Sequence, residues 1–428
     1  MIFWTITGSF TAALMYDRRE KRRSQQKWCD LVAHLSKETL PIEQTRRKLT
    51  VYLAAPPGDG LRIARDHFKE YVKPILVAAA LDYQVIEGRR EGDIRAGTAE
   101  SIRKLRRKAG EPSTVEEEPS AELVISDARK NLGVYDEPGP RSEIVVGRHT
   151  WKEYIRGLHE GWLGPLDPPP PPPAPVEETP PAFPEETTEA PAESEEKKEE
   201  KKPEDDKEKE EKEKKKLKPP TPPYIAPADY PSHALPSTLP QPLEGSVPIA
   251  FPHILGFLNT PIRLYRYVTR RRLADSIGRE VAGAVLASYS RPYHDDILPP
   301  DADPASNTPS SDVTTELPPR HYEQQGILQE EEKEWHKSVH KRDDNNNERE
   351  WLDDIVVDPR IASRMHRYTL SPEEEARSQL IAEGQEYIRG EGRPAPVPLW
   401  RRLWIKYGYG EDDETLKRKV FLGDLDEE

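Results

Sequence analysis

Between Pro165 and about Pro242 the chain carries six consecutive prolines, Pro168–Pro173, and then a stretch, Glu185–Lys218, built mostly from Glu, Lys, Pro and Asp. Polyproline stays extended, and a dense mixed-charge tract buries too little apolar surface to offset the entropy of ordering it. Such a tract is not itself packed, and whether the halves on either side of it form one domain is left open by the sequence. The sequence therefore reads as two foldable stretches separated by a disordered Pro/Glu/Lys-rich linker over 165–245. The Glu/Lys part could form a solvated helix, but it lacks an apolar stripe. The tract also accounts for much of an unusual composition: 34% apolar, 33% charged and 45 prolines in 428 residues. Packed domains run at about 45–50% apolar.

Charge and cysteine usage exclude several function classes. With 64 basic and 78 acidic side chains the net charge is −14, which argues against a nucleic-acid partner, because phosphate neutralisation needs a basic face. Cys29 is the only cysteine. It cannot form an internal disulfide, and no Cys/His cluster has the spacing of a metal site. No catalytic, cofactor or metal residues are expected: no Ser/His/Asp set has a nucleophile-elbow context, and His34, His67, His149, His159, His336 and His340 are scattered. His336 and His340 lie four apart on an expected helix without the carboxylate of an HExxH pattern.

The first segment, Ile2–Tyr16 (IFWTITGSFTAALMY), is uncharged, carries Trp4 and Tyr16, and is followed at once by DRREKRR. As a helix it spans about 22 Å, against roughly 30 Å of bilayer hydrocarbon. A secretory signal would place basic residues before the apolar run. Residues 1–17 are read as a single N-terminal transmembrane helix cut short at its start, with Trp4 and Tyr16 at the interfaces and Arg18–Arg23 as a basic stop. Residues 18–46 follow as a basic juxtamembrane helix. The alternative is a buried core helix. Arg18–Arg23 is expected to touch anionic headgroups, at about 1 kcal/mol per charge. Arg270–Arg272 is either a second such contact or a solvated helix face.

Residues 47–164 have an α/β pattern. Leu49–Ala55 reads as a buried strand ending in Pro56-Pro57-Gly58-Asp59-Gly60. Leu61, Ala64, Phe68, Tyr71, Ile75 and Ala79 then recur at helical spacing, with Pro74 either kinking the helix or marking the start of its final turns. Tyr83–Ile86 reads as a strand, Thr98–Lys108 as a basic helix with Ile102 and Leu105 inward, and Ser120–Leu132 as a helix capped by Ser120. Glu143–Gly147 is a third strand and Trp151–His159 a helix. This alternation predicts a parallel sheet covered by helices. Beyond the linker, 246–292 is expected to be helical, with one helix from Ile262 to about Ser288 opened by Thr260-Pro261. Residues 293–325 read as a loop. Residues 326–428 read as mostly helical, with helices at Gly326–Lys341 and Ser371–Ile388, the latter capped by Ser371 with Pro372 at its first position. Leu399–Leu422 holds Trp400, Trp404, Tyr407, Tyr409 and Phe421, too aromatic for a free tail.

Pro57–Gly60 lies between strand and helix, where a phosphate could rest on helix amides, but its spacing fits no Walker or dinucleotide motif and a tight turn is expected. The order strand, Gly-bearing turn, long helix ending in KPIL, strand resembles the start of the diacylglycerol and sphingosine kinase fold, whose third strand ends in GGDGTxxExxxGL. Here Gly147, Thr150, Glu153, Gly157 and Leu158 match, while Val146, Arg148 and His149 replace two glycines and the aspartate. Side chains at 146 and 149 would obstruct backbone approach to a phosphate, and Arg148 reverses a charge. No later Gly-Asp-Gly supplies a second acidic motif. The resemblance implies a lipid-kinase-like βαβ domain without its nucleotide site; the alternative is a membrane-associated lipid kinase of that type.

DRREKRR after the apolar run, KLTVYLAAPPGDG (Lys48–Gly60), IAFPHILGFLNTPIR (Ile249–Arg263), ADSIGREVA (Ala274–Ala282), EWLDD (Glu350–Asp354) and DPRIA (Asp358–Ala362) together resemble the family of the large, fifty-four-kilodalton Tim subunit of the mitochondrial carrier translocase. That resemblance implies a non-enzymatic scaffold in the inner membrane with one transmembrane segment and its bulk in the intermembrane space. It would support assembly of the carrier-insertion channel and receive small chaperone complexes bearing multispanning precursors. The partners implied are the channel subunit, the other translocase subunits, those chaperones and inner-membrane lipid. The animal carrier translocase includes an acylglycerol kinase, so a kinase-like scaffold suits the role by analogy. The family places a matrix-side segment before the anchor, where this chain begins, and Arg18–Arg23 falls on the side opposite to the usual positive-inside bias. A rival reading has the acidic tract itself recruiting basic clients by charge.

Overall fold

The computed structural model describes residues 2–114, 121–137, 141–169, 222–296, 321–336, 339–340, 349–389 and 398–407. At its centre are four parallel strands, β1 (Lys48–Ala54), β2 (Asp82–Gly88), β3 (Ser142–Val146) and β4 (Gly245–Ile249), in the order β2-β1-β3-β4. Register places Val85, Val51, Ile144 and Val247 in one row across the sheet. β1 is apolar on both sides because both faces of the sheet are covered, as parallel sheets require. Leu49, Val51, Leu53, Val146 and Ile249 pack on one side; Tyr52, Ala54 and Val145 pack on the other.

The first face is covered by α1 (Ile2–Val32), by the β1–β2 connection and by α8, described below. The connection is α2 (Leu61–His67), one π turn (Phe68–Val72) and α3 (Lys73–Ala78). Pro74 has no N–H to donate, and the widened turn just before it absorbs the missing bond. The second face is covered by α4 (Asp93–Lys108) and α6 (Arg148–Leu163), with α5 (Ala121–Asn131) between β2 and β3. α4 begins before the expected Thr98, and its buried face carries Ile94, Arg95, Ala99, Arg103 and Arg106, whereas Leu105 is exposed. Arg95 and Arg103 turn inward because Glu160 of α6 receives them, at 2.6 Å and 2.7 Å, while Arg106 donates to the Gly161 carbonyl at 2.8 Å. Gly157 and Gly161 let the two helices meet, since a Cβ at 157 would lie 2.6 Å from the Arg95 carbonyl. The expected cap Ser120 lies outside the described residues.

The expected boundaries need several corrections. The division between 1–17 and 18–46 falls inside one unbroken helix, and Trp28, Cys29, Leu31 and Val32 of the expected basic juxtamembrane helix belong to the core. The expected linker 165–245 is partly packed: Leu166 is buried and, after the undescribed 170–221, Ile225, Tyr230, Leu239 and Leu243 are buried against the α6 side. A proline-rich backbone still buries whatever apolar side chains punctuate it. The region 246–292 does not open as a helix, because Gly245–Ile249 is the fourth strand of the sheet. Both sides of the charged tract therefore build one sheet.

After β4 come α7 (Thr260–Tyr267) and α8 (Arg270–Leu286) in place of one helix. The break falls at the β-branched pair Val268-Thr269, and the new N-terminus is capped from another helix: the Asp17 carboxylate of α1 accepts from the Arg271 N–H at 3.2 Å. β5 (Tyr289–Pro292) pairs antiparallel with β6 (His366–Thr369). The expected loop 293–325 contains a short bridge between Asp295–Asp296 and His321–Tyr322. Within 326–428 the described chain is largely irregular: the described residues of Gly326–Lys341 hold a 3₁₀ turn at Gln329–Glu334 in place of the expected helix. α9 (Pro372–Glu383) has the expected Ser371 cap, which Glu374 completes as a capping box, and α10 (Leu399–Tyr407) follows. Tyr409 and Phe421 lie outside the described residues.

Candidate functional site

In an open α/β sheet, ligands bind beyond the carboxyl ends of the strands where the strand order reverses. Here that point lies between β1 and β3, where Pro56–Gly60, Gly147–His149 and Ala250–His253 leave the sheet. The chain fills this crevice itself. The 3₁₀ turn Gln329–Glu334 brings Glu331 against α6, and its two carboxylate oxygens accept the N–H of Arg148 (2.9 Å) and of Phe251 (2.6 Å). The first amide of a helix is where a phosphate would rest, and a carboxylate already holds it. Burial pushes the Glu331 carboxyl up to about 7, against the two amides that favour its charge.

The residues that depart from the kinase pattern build this plug. The Arg148 guanidinium donates to Glu332 at 2.7 Å and to the Ile327 carbonyl at 2.7 Å. Lys152 joins Glu332 at 3.1 Å and the Trp351 carbonyl at 2.7 Å. His149 donates from Nε2 to the Ala54 carbonyl at 3.1 Å, and burial draws its imidazole down to about 4, so the ring is neutral. Gly147 has φ +88°, and a Cβ there would meet the His149 ring at 2.8 Å. Val146 ends β3 inside the core.

Matching positions serve packing. Glu153 accepts from the Ile94 N–H at 3.0 Å, at the start of α4, and from the Trp351 indole at 2.6 Å. Burial, then Glu350, pushes its carboxyl up to about 8. Thr150 and Leu158 are buried, and Gly157 makes the helix contact described above. His159 donates to the Ile155 carbonyl at 2.7 Å and accepts from the Asp358 N–H at 3.0 Å, tying α6 to the chain beyond the tract. His34, His336 and His340 are not brought together, and no metal-holding cluster exists among the described residues.

A second concavity, of about 1080 Å³, lies between α2, the chain after β4, α7 and α8; Asp59 of the β1 turn, His67, Phe251, Leu255 and Arg263 line it. Neither ring nitrogen of His67 has a hydrogen-bond partner, and burial draws its imidazole down to about 3. Beside this groove the structure joins the two basic runs. Lys21 pairs with Glu70, which lies 3.5 Å from Arg270, while Arg271 reaches Asp17 at 3.1 Å.

Sequence reasoning missed Glu331 and Glu332, whose run EEEKE reads as solvated charge, and Asp17, which reads as the first polar residue after an apolar run. No local spacing signals either role.

Comparison with known proteins places these features. A family model described as inner membrane protein import complex subunit Tim54 matches residues 1–368. The mitochondrial import inner membrane translocase subunit tim54 of Aspergillus fumigatus is 67% identical, across 100% of this chain and 99% of its own. That of Neurospora crassa is 51% identical, covering 91% and 81%, and that of Schizosaccharomyces pombe 32% identical, covering 83% and 89%.

Proposed function

The chain belongs to the Tim54 family of inner membrane protein import complex subunits, and from that premise we propose that it serves as the membrane-tethered scaffold of the mitochondrial carrier translocase. Its role in the import complex is that of a non-enzymatic subunit of a mitochondrial inner-membrane translocase. The finer reading assigns it a single N-terminal anchor, its bulk in the intermembrane space, and contacts with the channel subunit, small chaperone complexes and inner-membrane lipid.

The observation that carries this reading is the double character of α1. Asp17 and Trp28–Val32 are buried in the fold, whereas Phe3, Trp4, Phe10, Met15 and Tyr16 stand exposed on the same helix. No helix among the described residues is long and apolar enough to cross a membrane. An apolar stretch of about 22 Å can be accommodated by local thinning, with flanking arginines reaching to the headgroups. Interfacial Trp4 and Tyr16 suit that arrangement. The α/β domain is read as a kinase-like scaffold whose phosphate position is held by Glu331, which leaves its surfaces free for docking.

Native-gel co-migration with cross-linking from the α/β domain and from Ile249–Val281 tests the scaffold role. Capture of the channel subunit and of chaperones from these two surfaces supports it. Migration of the chain apart from every translocase subunit would refute it.

A further inference from the structure

α7 has eight residues and none is buried, yet Ile262, Leu264, Tyr265 and Tyr267 are all apolar or aromatic and exposed. The turn before it presents Phe257 and Leu258 at 89% and 91% exposure. An apolar patch this bare and continuous marks an interaction surface. Its chemistry is mixed in a particular way: Arg263 and Arg272 are exposed beside it, and Arg18, Arg19, Arg22 and Arg23 are exposed on the neighbouring α1, although the chain as a whole is strongly acidic.

The patch also has a fixed place. α7 runs through Val268-Thr269 into α8, whose first turn is held to α1 by Asp17. The Arg271 guanidinium lies 5.2 Å over the Tyr16 ring, and that of Arg270 lies 4.6 Å over Tyr267. Phe257–Tyr267 is therefore fastened next to the residue at which the uncovered apolar part of α1 leaves the fold.

We infer that Phe257–Tyr267 is a second membrane contact, lying flat in the headgroup region of an anionic bilayer. This rests on the anchor reading of α1 and deepens it. Phe257, Leu258, Ile262 and Tyr265 enter the acyl boundary, while Arg263, Arg272 and the arginines of α1 face lipid phosphates, as an interfacial amphipathic segment does. A lone anchor helix leaves a domain free to swing; a second contact, rigidly joined to it through Asp17 and Arg271, sets the tilt of the sheet against the membrane.

The buried Cys29 makes site-specific labelling simple. The full chain carrying Leu258→Cys in a Cys29→Ala background is labelled with an environment-sensitive fluorophore and reconstituted into vesicles of phosphatidylcholine with cardiolipin. The control label is at Ile42→Cys, a fully exposed position beyond the C-terminal end of α1. A blue shift and loss of most emission with brominated lipid at position 258, and neither at 42, is expected, and Arg263→Glu with Arg272→Glu should reduce the quenching. If the chain floats with the vesicles but position 258 stays as wet as 42, the surface contact falls and the anchor stands. If the chain does not float with vesicles, both fall. Shielding of 258 only when other import subunits are present would assign the patch to a protein and overturn the lipid contact.

Discussion

Gly278 of α8 faces Trp28 of α1, and this contact joins α1 to the domain. A Cβ at 278 would lie 2.2 Å from Cδ1 and 2.7 Å from Cγ of the indole, whereas unstrained carbon contacts are about 3.5–4.0 Å. The indole has little room to withdraw: Trp28 is 2% exposed and its Nε1–H donates to Asp275 at 3.0 Å. Two effects of Gly278→Ala oppose one another. Helix propensity alone stabilises by about 0.8–1 kcal/mol. Overpacking a fixed core costs roughly 1–3 kcal/mol, and a clash of more than 1 Å belongs at the upper end, so a net loss of about 1–2 kcal/mol is expected. Cys29, adjacent to Trp28, reports the local consequence: it is buried, and burial, then Asp30, raises its thiol well above the ordinary range. A thiol reagent reaches it only when α1 lifts, so the loss should speed labelling by roughly 5- to 30-fold. In a Trp28→Ala background the same substitution is expected to be neutral or stabilising. A Gly278→Ala chain that unfolds later than wild type and labels no faster would refute this packing.

Three further outcomes follow from the site. Glu331→Ala leaves the Arg148 and Phe251 amides without their acceptor and should cost about 1–3 kcal/mol for each buried group by chemical denaturation, while the full chain shows no saturable ATP binding by calorimetry; saturable binding would overturn the plugged-site reading. Glu143, Glu153 and Glu331 have folded carboxyl values raised to about 7, 8 and 7 from 4.5, so each contributes stability that is complete below 4.5 and lost as pH rises through its folded value. Buried His67, His149 and His159 are lowered to about 3, 4 and 4 and act oppositely, but only below 6.5. Between pH 6.5 and 8 stability should therefore fall, by about 1–2 kcal/mol from Glu153 alone, and Glu153→Gln should flatten the profile; a rise with pH contradicts it. Replacing 170–221 with a short polar bridge should leave cooperative unfolding and complex assembly intact, because Pro165 and Pro223 line the same cavity of about 330 Å³ and the strands on either side pair directly; loss of the assembled complex would refute the linker reading.

The parts of the fold legible in the sequence are those coded by local periodicity. β1, β2 and β3 are short apolar runs between turn residues, and α8 shows Ile277, Val281 and Val285 at helical spacing. β4 was hidden because GSVPI carries a glycine and a proline and follows a proline-rich tract, and only pairing with β3 makes it a strand. Ser371 is recognisable as a cap because its acceptor role is completed three residues away. Asp17 is not, because the amide it caps is that of Arg271. The same holds for the plug: Arg148 and His149 stand out as misfits to a phosphate loop, but the reason lies in Glu331 and Glu332, far along the chain. Long-range charge pairing leaves no periodic trace.

The account turns on α1 being built into the domain at one end and into a bilayer at the other. Alkaline carbonate extraction of mitochondria carrying the full chain tests this most directly, alongside a variant lacking residues 2–16. The full chain should stay with the membrane pellet, and the variant should be released while still unfolding cooperatively. Release of the full chain into the carbonate supernatant would contradict the account.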